Sequence, residues 1–101
     1  MESEKTNFYQ KSKIRSDLEI LGKVLASPNK KKIMYSLNTP KTPKELSKKT
    51  NLNFPTISKN LKILEKLDLI EINNKNLRKG KLIFISKKGM IVIEDIQKNN
   101  L

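Results

Sequence analysis

The sequence predicts a mainly α-helical domain that carries one β-hairpin, and three observations predict it. Ser, Thr or Asn repeatedly stands just before a stretch with apolar residues three or four apart. A Pro follows three of these caps, at positions 28, 43 and 55. Late in the chain, two short stretches rich in Ile and Leu flank the polar run Asn73 to Gly80. Caps followed by 3.6-residue spacing mark helices, and paired strands around a polar tip mark a hairpin.

Residues 1–15 lack a clear period and read as a flexible basic arm, with Phe8 and Tyr9 as its apolar exception. Ser16 and Glu19 form a capping box, in which the hydroxyl takes one orphan amide and the carboxylate another. Leu18, Leu21, Val24 and Leu25 follow, giving a helix over about 16–26. Ser27 and Pro28 open a second helix over 28–38, with Ile33, Met34 and Leu37 inward. Lys30, Lys31 and Lys32 crowd its first turns, where the helix dipole disfavours cations, so helix stability does not explain them. Thr42, Pro43 and Glu45 repeat the cap for a short helix over 43–50. Asn53 and Pro55 start a fourth over 54–67. Residues 69–73 and 81–85 are the hairpin strands, with Ile70 and Ile72 on one face. Ser86 caps a last helix over 87–99, and Ile85 and Met90 have the spacing of a hydrophobic staple. Residues 16–101 then form one domain. This helix and hairpin order is that of a winged helix-turn-helix.

A length of 101 residues permits a modest core, and a hydrophobic content of 36% suits a small domain that pairs with a second copy. A net charge of +12 points to a polyanionic partner, although compositional bias toward Lys, Ile and Asn would raise it too. With no Cys and no His, the chain is expected to hold no metal and no cofactor. No apolar run reaches the ~18 residues of a membrane span. The polar start MESEKTNFYQ is unlike a signal peptide, so a cytoplasmic location is expected. The acidic pairs Asp17 and Glu19, Glu65 and Asp68, and Glu94 and Asp95 fit caps or helix surfaces. Catalysis has no residues to rest on.

Four segments carry a resemblance to the ArsR and MarR groups of small prokaryotic transcription regulators. Leu25 to Leu37 is similar to the opening segment of ArsR proteins, with Lys30 where those usually have Arg. Ile57 to Leu64 resembles their recognition helix, with Asn60 for the usual His. Leu67 to Ile70 resembles the following Gly-Leu-Val segment with the Gly lost. Ile85 to Gly89 is similar to the start of the last MarR helix. The resemblance implies a winged helix-turn-helix that binds double-stranded DNA as a homodimer through its terminal helices. The metal-sensing variants use Cys and His, which this chain lacks.

Helix 54–67 is the sharpest candidate site. At about 100° per residue, Ile57, Leu61 and Leu64 fall on one side and Pro55, Lys59, Lys62 and Lys66 on the other. Lys62 and Lys66 repel one another by a few tenths of a kcal/mol. Phosphate contacts explain such a face better than stability does. Asn53, Thr56 and Ser58 place small polar groups where base edges would lie, or serve as caps. Lys44 would add charge at a helix N-terminus facing a phosphate. Lys75, Arg78, Lys79 and Lys81 arm the hairpin tip, and Arg78 is the residue expected in a narrow, A/T-rich minor groove. Leu18, Leu21, Leu25, Val92, Ile93 and Ile96 are the expected dimer contacts, with Ile20 beside them. Two other roles fit the same residues: a winged-helix protein–protein module, and an architectural DNA-binding protein with no preferred site.

Overall fold

The computed structural model describes residues 19–76 and 80–99 of the 101-residue chain. Within them, α1 is helical over 19–25. Then come α2 (Pro28–Ser36), α3 (Pro43–Thr50), α4 (Phe54–Lys66), β1 (Ile70–Asn73), β2 (Leu82–Ile85) and α5 (Lys87–Lys98). The arm, the Ser16 cap and Leu18 lie outside the described residues.

Each described helix after α1 begins where its capping side chain fixes it. Ser27 Oγ accepts the Lys30 N–H, Asn53 Oδ1 accepts the Thr56 N–H, and Ser86 Oγ accepts the Gly89 N–H. At α3 the capping box is complete. Thr42 Oγ1 accepts the Glu45 N–H at 3.2 Å, and the Thr42 N–H donates to Glu45 Oε1 at 3.0 Å. The Thr42 backbone N–H, more than its hydroxyl, holds the Glu45 carboxyl below its ordinary pKa, and Lys41 adds to the effect. A carboxylate with a depressed folded pKa stabilises above its unfolded pKa and loses that effect as pH falls through the folded one. Separately, Thr42→Ala removes the hydroxyl cap on the Glu45 N–H and should lower stability by about 1 kcal/mol, read as a shift in urea midpoint at constant slope. The stabilising effect of the Glu45 carboxylate should fade on acidification.

The helix ends differ slightly from the sequence expectation. Helix α2 stops at Ser36 because the Leu37 N–H turns to the Met34 carbonyl, yet Leu37 stays buried. Asn51 closes α3 in the left-handed region at φ 64°. Asp68 follows α4 at φ 60°. It occupies the place where the resembling families carry Gly, and Asp is among the few residues that tolerate that conformation.

The core forms where the inner faces of α1 to α5 meet the hairpin: Val24, Ile33, Met34, Leu37, Leu46, Ile57, Leu64, Leu69, Ile83 and Ile96 are all buried. The strands pair antiparallel from Ile70 with Ile85 to Asn73 with Leu82. Lys41 makes an antiparallel bridge to Ile83, donating to its carbonyl at 3.0 Å and accepting from its N–H at 2.8 Å. The segment entering α3 is thereby locked to the hairpin, a link the sequence did not announce.

Met90, the expected staple partner of Ile85, is left largely open at α5. It is 48% exposed, and Ile85 lies over Gly89, where an added Cβ would sit 2.8 Å from its Cγ1.

Candidate nucleic-acid interface

Helices α3 and α4 and the turn between them are built as a rigid unit. Ser47 Oγ donates to the Leu52 carbonyl at 2.6 Å. Thr50 Oγ1 donates to the Leu46 carbonyl and accepts the Leu52 N–H, which satisfies a buried hydroxyl. The Leu46 side chain fixes the inner side of α3, while Ile57, Leu61 and Leu64 fix that of α4. The opposite side of α4 is left to solvent.

That surface is the one the periodicity marked. Pro55, Ser58, Lys59, Lys62 and Lys66 are all exposed. Lys44 is exposed in the first turn of α3. Asn53 is the N-cap, so its side-chain Oδ1 is engaged by the Thr56 N–H. Thr56 is half-buried, and its carbonyl accepts the Asn60 Nδ2–H at 2.9 Å. Asn60 is buried, so the residue standing where the resembling families have His binds its own helix rather than solvent.

The hairpin meets α4 along one edge. Lys75 Nζ pairs with Glu65 Oε2 at 2.5 Å. Glu65 therefore ties α4 to the hairpin rather than merely offsetting Lys62 and Lys66. An exposed pair of this kind contributes about 0–1 kcal/mol, and its geometric effect matters more than its energy. Ser58, Lys62, Lys75 and Lys81 share a groove of about 260 Å³ between α4, the start of α3 and the hairpin. Asn74 holds the hairpin tip at φ 59°, with its Nδ2–H donating to the Gly80 carbonyl at 3.1 Å. Arg78 and Lys79 lie outside the described residues.

Sequence reasoning missed two residues here. Glu65 gave no signal as a tie, because its partner is ten positions away across a loop. Phe54 is 54% exposed at the first helical position of α4. Spacing hid it, since Phe54 stands three residues before Ile57 and seven before Leu61, in line with the apolar stripe, yet the end of the helix leaves its ring uncovered.

The terminal helices divide differently from the expectation. Val92 and Ile96 are only 8% and 1% exposed, and Ile20 is also buried, so all three already pack in the core of the single chain. Leu21, Leu25 and Ile93 are half-buried against that core. The apolar surface left open on α5 is Met90 and Ile91, the latter 54% exposed.

Residues 27–71 match the family described as bacterial regulatory protein, arsR family. The match runs from the cap of α2 into β1. Two solved structures share the fold over nearly the whole chain. One is a protein of unknown function from Listeria innocua, 18% identical with a TM-score of 0.64, the alignment covering 95% of this chain and 71% of that one. The other is a MarR family transcription regulator, 18% identical with a TM-score of 0.66, the alignment covering 99% of this chain and 74% of that one. No curated protein matches the sequence. Residues 27–71 are thus similar to the arsR-family model, and the described helices with their two-stranded wing have the winged helix-turn-helix fold of these two structures.

Proposed function

We propose that the chain regulates transcription by binding double-stranded DNA as a homodimer. Each copy would lay α4 in the major groove, with its wing along the flanking backbone or minor groove. One observation carries this reading: α4 buries Ile57, Leu61 and Leu64 with Asn60 beside them, and turns outward Lys59, Lys62 and Lys66 with Pro55 and Ser58. Lysines so placed gain affinity by releasing counterions from phosphates. Ser58 and Thr56 stand at the end of the helix that reaches base edges, and DNA shape would supply the rest of the specificity. The salt bridge between Glu65 and Lys75 supports the geometry, since it holds wing and helix as one docking surface.

The homodimer is supported by the open apolar residues of α5, Met90 and Ile91, beside half-buried Ile93. In this reading they, with Leu21 and Leu25 of α1, meet a second copy. Sedimentation at micromolar concentration should show twice the 11.7 kDa chain mass. A single 11.7 kDa species would remove the dimer from the account.

Selection of bound genomic fragments at two salt concentrations tests the function. A small enriched set, held more weakly at higher salt, is expected. Salt-dependent binding without enrichment would instead indicate an architectural protein, and no binding at either salt would indicate a protein–protein module.

A further inference from the structure

We propose that Phe54 is a specificity-determining residue that reads thymine in the major groove through its C5-methyl group. This inference rests on the docking of α4 set out above. Among the described residues, the large hydrophobic side chains left exposed are Tyr35, Phe54, Met90 and Ile91. Met90 and Ile91 are neighbours on α5, and Tyr35 borders a groove between α2 and α3. Phe54 alone stands at the start of the recognition helix, directly after the Asn53 cap.

Its placement is rigid. Asn53 Oδ1 holds the Thr56 N–H at 2.9 Å, and Pro55 fixes the next backbone φ. By spacing Phe54 continues the stripe of Ile57, Leu61 and Leu64 toward the start of α4, but its ring stands 54% exposed where those three are buried. At about 100° per residue it lies on the same edge as Ser58, one turn further along. That edge leads into the groove shared by Ser58, Lys62, Lys75 and Lys81. The ring is therefore carried at the end of the helix that meets base edges first.

A phenyl ring has no donor or acceptor with which to read the polar pattern of a base pair. On the major-groove edges of the four base pairs, the thymine C5-methyl is the one apolar group. A half-exposed ring delivered there has that methyl to pack against, and packing removes both from water. Phe54 would thus favour thymine over cytosine at one position of each half-site, while Ser58 and the lysines handle polar and phosphate contacts.

The test uses the tightest duplex selected from a random pool, resynthesised with deoxyuridine for each thymidine in turn. Deoxyuridine removes only the methyl. The wild-type chain should lose about fourfold in affinity at one position per half-site, the scale of unburying one methyl-sized group. Phe54→Ala, which removes the ring from both half-sites of a dimer, should bind the thymidine duplex about sixteenfold more weakly and be indifferent to the deoxyuridine change. Phe54→Leu, still apolar, should keep part of the sensitivity. Equal sensitivity in wild type and Phe54→Ala, or none in wild type, would overturn this inference while salt-dependent binding left the DNA-docking reading intact. Failure of the wild-type chain to bind any duplex would overturn both.

Discussion

Gly89→Ala should destabilise the fold by about 3 kcal/mol, while Gly22→Ala should stabilise it by about 0.5–1 kcal/mol. The same substitution on two helical glycines is expected to have opposite signs. Gly22, in α1, has nothing within 4 Å of an added Cβ, so Ala there gains only helix propensity. Gly89 lies in the first turn of α5, where an added Cβ would overlap the Leu69 carbonyl oxygen and lie 2.8 Å from Ile85 Cγ1. The Leu69 oxygen also accepts the Ser86 N–H at 3.0 Å, and the Ser86 hydroxyl donates to the Asp68 carbonyl at 2.6 Å. These bonds fasten the start of α5 to the exit of α4. Relieving the overlap would pull that junction apart and tilt α5 away from the base of the wing. Urea unfolding of the two variants at constant slope checks the prediction. A stable Gly89→Ala would show that the junction yields more easily than its geometry implies.

Replacing both Lys59 and Lys62 with Ala should weaken binding to every DNA sequence alike, by roughly a hundredfold at moderate salt. If each lysine meets one phosphate, a dimer loses four contacts. The slope of log affinity against log salt should then flatten by about 3.6, taking about 0.9 per phosphate. Folding should respond in the opposite direction. Lys62 sits four residues from Lys66 and three from Lys59, and all three are exposed. Removing that self-repulsion should raise stability by a few tenths of a kcal/mol. A protein that is slightly more stable yet binds far less tightly has lost contacts with its ligand, not its fold. Equal binding by the double variant, with an unchanged salt slope, would exclude α4 as the docking helix.

The parts of this molecule that were legible in its sequence are those set by local chemistry. Ser27, Thr42, Asn53 and Ser86 each mark a helix start because the side chain satisfies an amide within three residues. The two-sidedness of α4 follows from spacing alone. Other features join distant residues and leave no periodic trace. The Lys41 to Ile83 bridge is a single pair spanning forty-two positions, too short to read as a strand. The Glu65 to Lys75 pair depends on how the wing folds back. Val92 and Ile96 looked like spare apolar surface because spacing marks an apolar face without saying what covers it, and here the chain's own core does. Asp68 hid a left-handed turn because Asp, unlike Gly, does not announce one.

Hydroxyl-radical footprinting of the tightest selected duplex tests the central claim most directly. Two copies of α4 in successive major grooves should protect two patches on one face of the DNA, their centres about 10–10.5 base pairs apart. The lysine-to-alanine double variant should erase both patches at the same protein concentration. Even protection along the whole duplex, or none at concentrations that saturate wild-type binding, would contradict the account.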